Sequence, residues 1–311
     1  MPTHHGAIRL GQNQYGKAEN RVVRIYRDTP RHQIRDLNVS TALRGSFAEA
    51  HTSGDQQDVL PTDTQKNTVF AYAKKIGVAS IEEFALALAD RYLEACPAAE
   101  GARVEVDEYA WDRIQTDDPE SGGAGHDHAF VRSGGGVRTT VVNVDGRGED
   151  RVAHVVSGIK DLVVLKSTGS EFHGFLKDEY TTLKETTDRI LATSLVARWR
   201  YVGTEVDWDK SYDSIRALLL QRFAEIHSLA LQQTLNGMGT SVLEQHGDVA
   251  EIKFSAPNKH HFLYDLAPFG MDNPGEVFHA ADRPYGLIEA SVVRDEAPDA
   301  GNAWHAIPGF C

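Results

Sequence analysis

The chain has 311 residues, of which 41% are hydrophobic and 25% are charged, a composition typical of globular proteins and unlike that of disordered or collagen-like chains. At roughly 150 residues per domain, this length suggests about two domains. The chain has 32 Lys and Arg residues against 45 Asp and Glu residues, which gives a formal net charge of −13. Because such a chain repels phosphate backbones and anionic lipid surfaces, we expect neither nucleic acid nor a membrane as partner.

The cysteine content and the lengths of the apolar segments indicate the cellular compartment of the protein. Cys96 and Cys311 are the two cysteines, too few for a disulfide framework or a Cys-rich metal site. Cys311 either stays a free thiol or cross-links to a second subunit. No apolar stretch approaches the roughly 20 residues that span a bilayer, and the N-terminus lacks the features of a signal peptide. We therefore expect a cytoplasmic protein.

The first half is predicted to contain strands and one helix. Strands are predicted at residues 21–27, 68–74, 103–111 and 137–145. The helix begins after Ser80, which forms a capping box with Glu83, and it stops before Pro97. Residues 117–136 are rich in glycine and are predicted to form a loop.

The second half repeats this order of elements without a repeat at the residue level. Strands are predicted at residues 152–156, 162–165, 195–202, 251–254, 262–266 and 287–293. Apolar spacing predicts one long helix over 212–236, ended by Gly237 and Gly239, and residues 257–258 are predicted to form a turn. Because the strands come in adjacent runs, the predicted class is α+β with antiparallel sheets.

Common cofactor motifs are missing from the sequence. There is no Walker A loop, no Gly-rich dinucleotide motif after a strand, no His-Glu-x-x-His and no Gly-x-Ser-x-Gly. A strand would place His126 and His128 on one face, where two imidazoles could bind a metal. The two histidines do not form a closed ligand set, and solvated loop histidines are the simpler interpretation. A metal-dependent oxygenase that uses them remains an alternative.

Residues 162–189 carry a long and specific motif. The segment Leu162 to Phe172, followed by His173-Gly174-Phe175, Tyr180, Leu183 and Arg189, resembles the signature block of the urate oxidase (uricase) family. Four further segments resemble the same family and occur in the family's order: Tyr15-Gly16-Lys17, Thr62 to Thr68, Ser228 to Gln232, and Pro257 to His260. The resemblance therefore covers most of the chain.

The resemblance implies both an architecture and an activity. It implies two tandem T-fold domains, at residues 1–150 and 151–311, in a tunnel-forming homotetramer with active sites at subunit interfaces. The family oxidises urate with dioxygen and water to 5-hydroxyisourate and hydrogen peroxide, with no metal and no organic cofactor. Since this chain ends in Gly309-Phe310-Cys311 rather than in a peroxisomal tripeptide, the bacterial type is the one expected.

The same resemblance assigns residues that bind the purine. Phe172 would supply a stacking face, and the planar guanidinium of Arg189 would bind a purinate edge with two parallel hydrogen bonds. The side-chain amide of Gln232 would present a donor beside an acceptor to a ring N–H and a carbonyl. Leu183 and Leu231 would line the pocket, with Leu231 also offering a backbone group. Ordinary core packing is an equally good interpretation of both leucines.

A proton relay and an oxygen site are implied as well. Lys17, Thr62 and His260 match the relay, in which an amine, a hydroxyl and an imidazole pass a proton. Thr62 and Asp63 match the segment that reaches into a neighbouring subunit's pocket, where Asp63 contributes mainly its backbone N–H. Thr62 and Asn258 would hold dioxygen above the purine and then the attacking water.

A purine- or pterin-binding protein on the same tandem fold, without oxidase activity, is the other alternative, because a fold does not determine a function. Loss of Lys17 or His260 would mark such a protein, and both residues are present.

Overall fold

A computed structural model describes residues 8–116 and 124–307. The chain divides into two compact units, one comprising Met1–Arg132 and Thr139–Val155 and the other Ser133–Arg138 and Val156–Cys311. Among the described residues, no helix is both long enough and apolar enough to cross a bilayer. Cys311 and residues 117–123 of the predicted glycine-rich loop lie outside the described part.

The first unit is an antiparallel sheet with helices on it. Its strands are β1 (Tyr15–Tyr26), β2 (Gln33–Gly45), β3 (Ala99–Glu108), β4 (Trp111–Arg113), β5 (Phe130–Arg132) and most of β6 (Val137–Asp145). Its helices are α1 (Ala48–Thr52), α2 (Thr62–Lys75) and α3 (Ile81–Ala95). The sheet order is β1-β2-β3-β6, with β4 and β5 as a separate pair. Helix α2 packs on β1, and α3 packs on β3.

The second unit has the same plan. Its elements are most of β7 (Val152–Lys166), β8 (Leu191–Tyr201), α4 (Trp208–Glu225), α5 (Leu231–Gln245), β9 (Val249–Leu263) and β10 (Phe278–Val293). The sheet order is β7-β8-β9-β10, and each neighbouring pair is antiparallel. Helix α5 packs on β9 and β10. Leaving aside the separate β4–β5 pair, the sheet strands and long helices of each unit thus follow the order two strands, two helices and two strands, which confirms the predicted α+β class.

The core of each unit lies between its sheet and its helices. Fully buried side chains include Leu37, Val39, Phe84 and Leu88 in the first unit and Trp199, Ile215, Leu219 and Phe254 in the second. Burial of one such side chain contributes about 1.5–3 kcal/mol.

The capping prediction for the first unit is confirmed. The Ser80 hydroxyl accepts a hydrogen bond from the N–H of Glu83 at 3.1 Å, and α3 ends at Ala95, two residues before Pro97. The predicted strands at 21–27 and 137–145 correspond to β1 and β6. In the Gly-rich stretch, the structure adds the short strand β5, which pairs with β4.

The strand predicted at residues 68–74 is wrong, because this segment belongs to α2. Gln65, Val69 and Ala73 are the buried residues of the helix and recur every four positions, whereas Phe70 is 46% exposed. The local alternation of apolar residues resembled a strand, but the longer stripe that begins at Gln65 has helical spacing.

The single helix predicted over 212–236 is also wrong. Helix α4 ends at Glu225, α5 begins at Leu231, and both Gly237 and Gly239 lie inside α5. Contacts with the distant segment 166–171 hold the linker between the two helices out of helical conformation. These contacts are Lys166 Nζ to Ile226 O (2.5 Å), Ser228 N to Gly169 O (3.0 Å) and Glu171 N to Ser228 O (2.7 Å).

Two strand boundaries in the second unit differ from the prediction. Residues 152–156 and 162–165 belong to one strand, β7, whose register shifts between Ile159 and Leu162. The turn predicted at Pro257–Asn258 is absent because both residues lie inside β9, paired with Leu287 and Gly286 of β10. Proline has no N–H to donate to a ladder, and the pairing of β9 with β8 skips Pro257, passing from Ser255 to Asn258.

Strands β1 and β2 approach closely beside an irregularity. Their register shifts between Lys17 and Asn20, and Glu19 adopts a φ of 57°. A Cβ atom on Gly16 would lie 1.7 Å from the carbonyl oxygen of Thr41, so no side chain fits there without moving the backbone.

We therefore expect Gly16→Ala to lower the free energy of unfolding by about 3 kcal/mol, near the upper end for overpacked sites. Gly203→Ala is the matched control, because a Cβ at exposed Gly203 meets nothing within 4 Å. Urea unfolding at one protein concentration measures both. Equal midpoints for the two variants would contradict the close approach.

Candidate active site

Lys17 is held at the strand irregularity by a chain of hydrogen bonds that ends in α2. The Lys17 N–H donates to the Thr41 hydroxyl at 3.3 Å, and this hydroxyl donates to Gln65 Oε1 at 2.8 Å. The Asn20 side-chain amide donates to the Lys17 carbonyl at 3.3 Å. Gln65 is fully buried in α2. The backbone of Lys17 is therefore fixed relative to the first turns of this helix.

Thr62 and Asp63 begin α2, and their backbone N–H groups are among those that have no acceptor within a helix. The exposed Asp63 carboxylate pairs with Lys66 and accepts a hydrogen bond from Asn67 at 2.9 Å. These bonds, mainly the one from Lys66, lower the pKa of Asp63, and the charge of Lys17 adds to the effect. The first unit thus brings Lys17, Thr62 and Asp63 together at one end of α2.

Phe172 and Arg189 form an aromatic face beside a planar cation in the second unit. Arg189 Cζ lies 5.1 Å from the centroid of the Phe172 ring, and Arg189 Nε donates to the Ser170 hydroxyl at 3.4 Å. Phe172 stacks on Phe175 at 5.0 Å and 15°. Its backbone exchanges hydrogen bonds of 2.8 and 3.0 Å with Thr186. Burial lowers the pKa of Arg189, which still leaves the guanidinium charged.

His260 and Asn258 lie on β9. Burial, followed by the charges of Arg189 and His261, lowers the pKa of His260 and so favours the neutral imidazole. Asn258 is half-buried and pairs with Thr193 of β8. Arg189 therefore interacts with both the Phe172 ring and the His260 imidazole.

The three remaining predicted positions differ in exposure. Leu231 and Gln232 begin α5, where the Leu231 side chain is buried and that of Gln232 is exposed. Leu183 is 56% exposed, so it is not part of the core of this unit. At the start of α5, Ala230 provides no side-chain cap for the first N–H groups of the helix.

Several residues that support the site were missed by sequence reasoning. Gln65, Ser170 and Ser228 lie within the segments that resemble the family, and each is fully buried. A polar residue inside such a motif was the available signal, because buried polar groups need partners. Thr41 lies outside those segments and gave no signal.

The alternative metal site at His126 and His128 is not closed. Their rings meet edge to face at 4.5 Å, and His126 Nδ1 accepts the backbone N–H of His128 at 3.2 Å. Within residues 8–116 and 124–307, no group of three or more His, Cys, Asp or Glu is arranged to hold a metal ion.

Comparisons with known proteins give one family. The family model described as Uricase matches residues 13–143 and 155–289. The chain is 55% identical to the uricase of Arthrobacter globiformis over 302 residues, which is 97% of this chain and 95% of that protein. It is 35% identical to the uricase of Danio rerio over 285 residues, covering 90% and 93% of the two chains.

Solved structures agree with the sequence comparisons. The crystal structure of uricase from Arthrobacter globiformis is similar with a TM-score of 0.89 and 54% identity, over 96% of this chain and 99% of that one. The crystal structure of a uricase from Bacillus fastidious is similar with a TM-score of 0.78 and 25% identity, over 90% and 93% of the two chains.

The interaction between Arg189 and His260 can be tested by titration. Because the Arg189 charge lowers the pKa of His260, we expect Arg189→Gln to raise it, so that the imidazole protonates at higher pH. NMR of histidine-labelled protein measures this. The internal control is His246, whose pKa is lowered by burial and raised by Asp248, with no contribution from Arg189. A His260 pKa that falls or stays constant in the variant would contradict the arrangement.

Proposed function

Because this chain belongs to the uricase family, we propose that it oxidises urate with dioxygen and water to 5-hydroxyisourate and hydrogen peroxide. The observation that carries the proposal is the cluster of Phe172, Arg189 and His260. It joins a stacking face, a planar cation and a neutral imidazole, in a chain that matches the family over most of its length.

Urate is a flat and weakly acidic purine, and the cluster is suited to it. Stacking on Phe172 contributes about 1–3 kcal/mol, as for other base–aromatic contacts. The Arg189 guanidinium binds the anionic edge through two parallel N–H donors, and the Gln232 amide binds the opposite edge. The chain carries a net charge of −13, which repels an anion on average. Arg189 supplies a positive field locally, at the site itself.

The residues can supply the proton transfers that the reaction needs. Urate gives two electrons to dioxygen, which becomes hydrogen peroxide after taking up two protons, and water then adds to the oxidised purine. Removing a proton from urate first makes it a better reductant for triplet dioxygen. We assign this proton to the relay of Lys17, Thr62 and His260, whose neutral imidazole can accept it. Thr62 and Asn258 hold dioxygen and later the water.

The relay is divided between the two units of the chain. Lys17, Thr62 and Asp63 belong to the first unit, whereas Phe172 and His260 belong to the second. We propose a homotetramer in which one subunit supplies the first group and another supplies the second. In support, the sheet of the second unit has large apolar side chains that are more than half exposed, namely Val163, Leu165 and Leu287. We further propose that the protein is cytoplasmic and needs no metal or organic cofactor.

An assay of the purified protein tests the reaction. Protein shown by elemental analysis to be metal-free is mixed with urate, with and without EDTA, and urate loss, oxygen uptake and peroxide are measured. We expect equal amounts of all three and no effect of EDTA. Purine binding without turnover would favour the non-oxidase alternative, and activity lost on chelation would refute the cofactor-free reaction.

The assigned roles predict different kinetic effects for two cations. Lys17→Met should lower kcat by about 10²- to 10⁴-fold, the usual contribution of general acid–base groups, with little change in the Kd of a non-oxidisable purine analogue. Arg189→Ala should weaken analogue binding by about 10- to 100-fold, since it removes charged hydrogen bonds. Steady-state kinetics and calorimetry measure both. Unchanged turnover in the Lys17 variant would remove this residue from the relay.

A further inference from the structure

Glu171 lies between two histidines, directly before Phe172. Its Oε1 contacts His227 Nε2 at 2.5 Å, and its Oε2 contacts His173 Nε2 at 2.9 Å. An ionised carboxylate only accepts, so both imidazoles donate from Nε2. These hydrogen bonds, the one from His227 foremost, lower the pKa of Glu171. The Glu171 side chain is 19% exposed, and the imidazoles of His173 and His227 are 49% and 57% exposed.

A short backbone bridge accompanies this side-chain pair. The Glu171 N–H donates to the Ser228 carbonyl at 2.7 Å, and the Ser228 N–H donates to the Gly169 carbonyl at 3.0 Å. The fully buried Ser228 hydroxyl accepts a hydrogen bond from Thr234 at 2.8 Å. The segment that carries Phe172 is thereby attached to the linker between α4 and α5.

The linker leads directly into the residues that begin α5. His227 is followed by Ser228, Leu229 and Ala230, and then by Leu231 and Gln232. One wall of the proposed purine site therefore carries Phe172, and the other carries Gln232. The Glu171–His227 pair joins the two walls through side chains. It acts in addition to the two backbone hydrogen bonds of the bridge.

The linker has a competing conformation. Apolar spacing over 212–236 favours one continuous helix, and such a helix would turn Gln232 to another direction. A hydrogen bond to an ionised carboxylate is stronger than one between neutral groups, such as the backbone bonds of the bridge. Together with the Lys166–Ile226 contact and the backbone bonds of the bridge, the hydrogen bond from His227 to the ionised Glu171 opposes helix continuation.

We propose that Glu171 and His227 are positioning residues, which keep the helix broken and hold Gln232 at the correct distance from Phe172 for a purine. The inference rests on the proposed function, because it names residues that set the affinity of that same site. Neither residue is assigned a contact with the substrate.

The test compares Glu171→Ala, His227→Ala and the double variant with the unmodified full-length protein. The Kd of a non-oxidisable purine analogue and the KM for urate should rise about tenfold in each single variant, the effect of losing one charged hydrogen bond. The kcat should stay within about twofold. The double variant should lose no more than the Glu171 variant alone, because that variant already removes the contact with His227.

Two further variants separate positioning from a general loss of structure. His227→Gln keeps an N–H donor and should recover most of the affinity. Glu185→Gln is the matched control, because it breaks the exposed Lys177–Glu185 ion pair of 2.9 Å on the same stretch of chain. Its KM and Kd should equal those of the unmodified protein, and circular dichroism checks that all variants are folded.

Several results would overturn the inference. These are an unchanged Kd in the single variants, a loss confined to kcat, or additive losses in the double variant. Failure of the unmodified protein to bind the analogue or oxidise urate would refute the proposed function. Normal turnover with unaffected variants would refute only the positioning role.

Discussion

The arrangement of the candidate site depends on buried polar side chains that must find partners. An unsatisfied buried polar group costs about 1–3 kcal/mol, so each such group accepts only a few arrangements of its neighbours. In the first unit, Gln65 meets this requirement through Thr41 and thereby fixes the strand that carries Lys17. In the second unit, the Ser170 hydroxyl accepts a hydrogen bond from Arg189, and the Ser228 hydroxyl accepts one from Thr234.

Charge acts locally against the average of the molecule. A net charge of −13 disfavours an anionic purinate at long range, although screening limits this effect to about 10 Å at ordinary ionic strength. Within that distance, the half-buried Arg189 lies over the Phe172 ring. Burial, together with the charge of Arg189, lowers the pKa of His260, so the Arg189 side chain adds positive charge beside the ring and also favours the neutral imidazole.

Most patterns within one element were predicted well, except at residues 68–74, where the predicted strand is a helix, and patterns that depend on distant residues were not. The Ser80 cap and the strand over 137–145 follow from neighbouring residues, and both are present in the structure. The break before Leu231 could not be predicted, because its partners are sixty residues away at Lys166 and its neighbours. The strand at Pro257 was missed for the same reason, since its pairing with β10 outweighs local turn propensity.

The sequence by itself determined the α+β class, which follows from the spacing of apolar residues, and its resemblance to the urate oxidase family named the candidate residues. Tertiary structure alone decided their surroundings. The lowered pKa of His260, the exposure of Leu183 and the attachment of Glu171 to His227 depend on burial and on contacts between segments far apart in the chain. Local spacing carries no information about such contacts, since the energy that selects them arises only when the sheet and helices pack.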